Sequence, residues 1–200
     1  MKRALVVIDA QESFRRRSDW EVASDPEIAD KIAVLVAAAR ARDEPVIWVL
    51  HTEPGSGTVF DPESGHVRLM AGLVPADGEP VLRKTAHNAF TTTNLQQLLT
   101  VAGIGSLAIC GIRTEQCCET TARIASDLGY AVEFVIDGTA TTPTPHRDAP
   151  ADRSAAELVA DPRTLRVEDI IARTEYALAG RFATITTVAE FAGAAVAGVR

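Results

Sequence analysis

Three side chains in this sequence have the types and surroundings needed to attack a carbonyl: Cys117, Asp9 and Lys84. Cys117 follows the apolar run Ser106-Leu-Ala-Ile-Cys110 and falls in what reads as the first turn of a helix. Free backbone N–H groups and the positive end of the helix dipole favour a thiolate there. Asp9 closes the apolar run Ala4 to Ile8, and Lys84 closes the short run Val81-Leu-Arg-Lys84. In an open parallel sheet, sites form beyond the C-terminal ends of the strands, where all three would meet. Cysteine would attack, the carboxylate would accept the thiol proton and pass it to a leaving nitrogen, and lysine would supply positive charge. Backbone N–H groups at the turn into the helix, including that of Cys117, are suited to an oxyanion.

The elements that must position these groups follow from pattern. The continuous apolar, β-branched run Ala4–Ile8 reads as a central parallel strand, with Pro45–Leu50, Ser106–Cys110 and Tyr130–Ile136 as further strands and Val81–Lys84 and Phe182–Ile185 as shorter ones. Helices are expected after Pro26, near Thr93 to Val101, after Cys117, within Ala151 to Arg163, over Val167 to Leu178 and over Val188 to Val196. Gly103 to Gly105 reads as the turn into a strand, Gly111 as a sharp turn out of it, and Thr114 as a helix cap. Cys118, Ala122, Ala125 and Leu128 form the buried stripe of the cysteine helix. Asp137 ends its strand and reads as a structural cap. Strands alternating with helices predict one three-layer α/β/α domain over residues 1–200, a Rossmann-like, mostly parallel sheet of about six strands. The segments Thr52–Glu79 and Thr142–Pro150 lack periodicity and read as binding loops.

Bulk properties narrow the partners. The chain has 200 residues, 46% hydrophobic and 24% charged, which suits one soluble globule. A net charge of -7 argues against nucleic acid or an anionic membrane, and no stretch is apolar enough for a bilayer. The basic triplet Arg15-Arg16-Arg17 reads as a solvated loop. Three cysteines, two of them adjacent, make no disulfide framework, and the apolar start is too short for a signal peptide. Both point to the cytoplasm. Cys110 and Cys118 read as core residues.

The separated motifs Leu5-Val-Val-Ile-Asp9-Ala-Gln11, Lys84 with Asn88-Ala-Phe90 and Thr93-x-Leu95, and Gly111-x-x-Thr114-x-x-Cys117-x-x-x-Thr121-Ala122 resemble the isochorismatase-like cysteine hydrolases. Gly129-Tyr130 and Asp137-Gly-Thr-Ala140 continue the pattern. The resemblance implies an Asp9–Lys84–Cys117 triad and a cis peptide between Ile112 and Arg113, with the N–H groups of Arg113 and Cys117 as the oxyanion hole. It implies no cofactor, a small-molecule substrate and a homo-oligomer, dimer or tetramer. Members that keep the cysteine cleave C–N bonds, so amide, lactam or carbamoyl hydrolysis is expected over vinyl-ether hydrolysis of isochorismate. Arg113 departs from the family, which usually has a small residue there.

Around the triad, Phe14, Trp20 and Phe60 are expected to form an apolar wall for the substrate, Gln11 to orient Asp9 or touch substrate, and His51 to line the pocket. A metal reading of His51 with Asp61 and His66 lacks the aspartate that the nicotinamidases of the resembled family place two residues before such a histidine, where this chain has Val49, so no metal is assigned. Two other functions stay open, isochorismate-type ether hydrolysis and a non-enzymatic small-molecule-binding domain. A phospho-receiver would need a second acid beside Asp9, where the chain offers Gln11. A redox pair at Cys117 and Cys118 would need side chains that diverge on a helix to bridge.

Overall fold

The computed structural model describes residues 1–197. Six strands, β1 (Lys2–Ile8), β2 (Val46–His51), β3 (Val81–Lys84), β4 (Ile104–Ile112), β5 (Ala131–Ala140) and β6 (Thr184–Thr186), form one parallel sheet in the order β3-β2-β1-β4-β5-β6. The sheet is central because side chains alternate across it. Leu5 and Val7 face a layer built by α2 (Ile28–Ala41), with Ile32, Leu35 and Phe191 of α7 (Val188–Ala197). Ala4, Val6 and Ile8 face the opposite layer, where α3 (Leu95–Val101), α4 (Glu119–Asp127) and α6 (Val167–Leu178) contribute Leu95, Leu99, Ala122 and Leu178. The short helices α1 (Glu12–Arg15) and α5 (Ala155–Ala160) lie outside these layers, α5 against a 3-10 segment at Ser18–Val22. This is the three-layer α/β/α architecture that the pattern predicts.

The order places the switch in winding direction between β1 and β4. From β1 the chain builds outward through β2 and β3, then returns to the other side of β1 as β4. A crevice opens at such a point beyond the C-terminal ends of the strands. Asp9 leaves one wall of it and the turn into α4 leaves the other.

Four local expectations are corrected. Gly111 makes no sharp turn: it lies inside β4 with φ at +125°, and a Cβ there would meet the Ile8 carbonyl oxygen at 1.9 Å. The neighbouring strand, invisible in the local pattern, requires the glycine. The turn at Gly103 is shorter than expected, and β4 already runs from Ile104. β5 continues through Asp137 to Ala140, and the Asp137 carboxylate accepts the Val188 N–H at the start of α7. Leu128 is 43% exposed, and the buried residues of α4 are Glu119, Thr121, Ala122 and Ala125, with Cys118 just before them.

Candidate active site

Asp9 is the first residue past β1, and its backbone turns left-handed with φ at +51°. Non-glycine residues adopt this conformation at a cost, and it turns the carboxylate out of the strand register into the crevice. Lys84 ends the edge strand β3. Its side chain reaches past the end of β2, and both Lys84 and Asp9 are wholly buried. Lys84 Nζ stands 2.7 Å from Asp9 Oδ2 and 3.3 Å from Cys117 Sγ, and it donates to the Ala86 carbonyl at 3.2 Å. The 2.7 Å contact is an ion pair rather than an aligned hydrogen bond, since neither Asp9 oxygen takes a well-directed protein donor.

Cys117 does not sit in an ordinary first α-turn. Residues Thr114–Cys118 form a π-helical turn that runs into α4, a widened geometry frequent at functional sites. Thr114 is no side-chain cap: its hydroxyl donates to Thr139 Oγ1, tying the turn to the end of β5. The peptide between Ile112 and Arg113 is cis, as the resemblance implies. Thr121 Oγ1 donates to the Cys117 carbonyl and accepts the Ala89 N–H, which fixes the segment after Lys84 to the turn that carries Cys117.

The electrostatics differ from the thiolate expected from helix position. Burial, with the nearby Asp9 charge, pushes the Cys117 thiol up to about 12, and Lys84 only partly opposes this. The resting group is therefore a thiol. Burial also raises the Asp9 carboxyl against the pull of Lys84. Lys84 itself loses from burial but is raised on balance by Asp9 and Cys117. His51, with Nδ1 at 3.4 Å from Lys84 Nζ, is lowered by burial and by the lysine charge and stays neutral near pH 7. The arrangement can hand one proton from sulfur to carboxylate without changing its net charge.

A cavity of about 190 Å³ opens onto Asp9 and Cys117. Asp9 and Cys117 form its floor, and Phe14 and Phe60, 5.1 Å apart edge to face, form an apolar wall. His51, His87 and Glu53 line one side, and Arg17, Arg113 and Gln116 also contribute. A larger groove of about 770 Å³ lies at the opposite ends of the strands, beside Met1, Arg42 and Ala131, and neither cysteine nor histidine lines it.

Of the residues expected around the triad, Phe14, His51 and Phe60 line the cavity. Trp20 stands behind Phe14, with ring centroids 6.3 Å apart. The Gln11 amide bonds both the N–H and the carbonyl of His51 and the Ser13 hydroxyl, so it braces the ends of β1 and β2 and does not line the cavity. Asp61 accepts the Gly57 and Glu63 N–H groups within its own loop. Among the described residues no group of three or more His, Cys, Asp or Glu is arranged to hold a metal ion. Arg17, Glu53, His87 and Gln116 were not anticipated. Gln116 adjoins the nucleophile and His87 follows Lys84 by three, but Arg17 gave no sign beyond its basic triplet.

Residues 3–165 match the family model described as the isochorismatase domain. The chain is 34% identical to a streptothricin hydrolase of Streptomyces noursei over 71% of its own length and 51% of that protein. It is 30% identical to nicotinamidase 3 of Arabidopsis thaliana over 69% of its length and 73% of that protein. A solved structure of an isochorismatase-family hydrolase from Chromobacterium violaceum matches with a TM-score of 0.84 at 26% identity, covering 98% of this chain and 94% of that one. No helix among the described residues is long and apolar enough to cross a membrane.

Proposed function

The chain belongs to the isochorismatase family of hydrolases, and we propose that it hydrolyses a C–N bond of a small amide, lactam or carbamoyl compound through a Cys117 thioester. The observation that carries this reading is the buried ammonium of Lys84, 2.7 Å from Asp9 and 3.3 Å from Cys117.

The substrate carbonyl sits over Cys117 in the 190 Å³ cavity, which is smaller than the roughly 300–1,000 Å³ of drug-sized sites. Sγ attacks the carbonyl carbon as its proton passes to Asp9. Lys84 keeps the transfer from leaving an uncompensated charge in a buried site. The N–H groups of Arg113 and Cys117 hold the oxyanion. The intermediate collapses, the C–N bond breaks, and Asp9 returns the proton to the departing nitrogen. Water then attacks the thioester with Asp9 as base, the C–S bond breaks, and the thiol is restored. His51, neutral beside Lys84, orients the lysine.

Ammonia or amine release across a panel of nicotinamide, ureidoacrylate, carbamoylsarcosine, streptothricin-type lactams and simple aliphatic amides tests this. Turnover of at least one is expected, with complete loss in Cys117→Ala while the circular dichroism spectrum stays unchanged. Silence on the whole panel, with isochorismate turned over and Cys117→Ala retaining that activity, overturns the proposal.

A further inference from the structure

The Arg113 side chain, the residue that departs from the family pattern, is held at the cavity in a built arrangement. Its Nη2 donates to Asp19 Oδ2 at 2.7 Å. Arg17 meets the same carboxylate in bidentate fashion, Nε to Oδ1 at 3.0 Å and Nη2 to Oδ2 at 3.2 Å. Thr142, from the loop after β5, adds its hydroxyl to Asp19 Oδ2 at 2.9 Å. Burial acts against the Asp19 charge, but Arg17 and Arg113 hold the carboxyl below its usual range, so it is ionised. Two guanidinium groups thus share one carboxylate and leave one positive charge over.

That charge borders the catalytic cavity. Arg17 and Arg113 both line it, and they also line a second recess of about 140 Å³, so their heads stand between the two. Among the described residues only Nη2 of Arg113 takes a protein partner, and its side chain is 10% exposed. Nε and Nη1 remain as donors, in a planar group suited to carboxylate. The two other carboxylates that line the cavity are not paired with Arg113, and Glu115, two residues on, accepts from the Thr141 hydroxyl and does not line it. Asp9 is matched by Lys84. Glu53 belongs to the segment after β2, where it contacts His51 Nε2 at 3.4 Å and accepts from the Thr58 hydroxyl, whereas Arg113 follows β4. Across the sheet the cavity is therefore polar, acidic beyond β2 and basic beyond β4, with the nucleophile in its floor.

We propose that Arg113, held by Asp19 and supported by Arg17, is a specificity-determining residue that binds a carboxylate of the substrate, so that the substrate is a small acid bearing one cleavable amide. The bond cleaved rests on the amidohydrolase reading; the carboxylate rests on the arginines alone. Nearby Phe14 and Phe60 accommodate a short apolar link between the two groups.

The test needs no knowledge of the natural substrate. Iodoacetate and iodoacetamide are close in size and differ by one negative charge. Each alkylates Cys117 by forming an S–C bond and releasing iodide and the thiol proton. The iodoacetate-to-iodoacetamide rate ratio, with Cys117→Ala as the site control, is expected to exceed that of glutathione by about tenfold or more, the worth of a hydrogen bond to a charged group. It is expected to fall towards the glutathione ratio in Arg113→Gln and in Arg17→Gln. Arg17 is 43% exposed, so its replacement decides the matter should Arg113→Gln not fold. In turnover, succinamate is expected to be favoured over succinamide in kcat/KM by a similar factor. A wild-type ratio no higher than that of glutathione, or one that neither substitution lowers, overturns the carboxylate site and leaves the amidohydrolase reading intact. An elevated, arginine-dependent ratio in a protein that hydrolyses no amide keeps the anion site and refutes the amidohydrolase reading.

Discussion

Lys84→Met isolates what the buried lysine does. Methionine keeps most of the apolar stem and removes the ammonium, so the substitution leaves Asp9 alone in a site from which both side chains exclude solvent completely. Breaking a buried ion pair by removing one partner costs about 3–5 kcal/mol, because the surviving charge loses its compensation. For a chain of this size about 1 kcal/mol moves the melting temperature by roughly 2–4 °C, so a drop of about 6–20 °C is expected at pH 7. The carboxyl escapes part of that cost by taking up a proton. Its folded-state pKa, already raised by burial in the wild type, rises further in the variant. A raised carboxyl contributes full stability below its unfolded value and loses it as pH climbs through the folded value. The deficit of Lys84→Met should therefore shrink from pH 8 to pH 5. The double variant Asp9→Asn/Lys84→Met buries no charge and should regain most of the loss. Urea denaturation of wild type, both single variants and the double variant across that pH range measures all of this. A Lys84→Met protein within about 1 kcal/mol of wild type at pH 7, or a double variant no more stable than Lys84→Met, would refute the picture of a compensated buried charge.

Other consequences follow from the same geometry. A thiol with a pKa of about 12 is ionised to only about one part in 10⁵ at pH 7, so an unassisted Cys117 would alkylate with a rate climbing tenfold per pH unit through pH 9. With Asp9 as internal acceptor, the iodoacetamide rate should rise only while Asp9 ionises and then stay flat, and Asp9→Asn should restore the climb; a wild-type rate still climbing at pH 9 would count against Asp9 as the base. Gly111→Ala places a Cβ 1.9 Å from the Ile8 carbonyl and must part β1 from β4 directly beneath the site. It should cost more than about 4 kcal/mol in thermal or urea melts, whereas Gly129→Ala, with φ at +90° and open space around it, should cost about 1–2 kcal/mol. Equal losses at the two glycines would show that close approach of β1 to β4 is not what Gly111 serves.

What could be read from the sequence was whatever depends on local pattern. The runs Ala4–Ile8 and Pro45–Leu50 are strands because a parallel strand covered on both faces has no need for polar residues, and the structure places them side by side as β1 and β2. The amphipathic period over Val167–Leu178 coincides with α6. Lys84 and Asp9 come together because strand ends converge in this topology; pattern places both at strand ends, and the family resemblance singles out Lys84. Gly111 and Thr114 were misread for a shared reason: their requirements come from β1 and β5, not from their neighbours in sequence.

The charged residues carry this further. Arg17 looked like part of a solvated triplet, and half of its side chain is indeed exposed. Its meaning comes from Asp19, two residues away, and Asp19 takes its own meaning from Arg113, ninety-four positions on, and from Thr142 beyond that. Sequence spacing reveals none of those pairings, because they depend on how the loop after β1 lies across the ends of β4 and β5. The triad is different, since each member sits at or just beyond the end of a strand, and the family resemblance singles these three out among the strand-end groups. Within one cavity, then, the groups proposed to react follow from the architecture, while those proposed to select follow from loop paths. Relatives with this sheet can keep Asp9, Lys84 and Cys117 and differ at Arg17, Asp19 and Arg113. Transplanting the three selecting residues into a relative that acts on a neutral amide should then shift that enzyme toward acidic amides, provided its loops follow the same course.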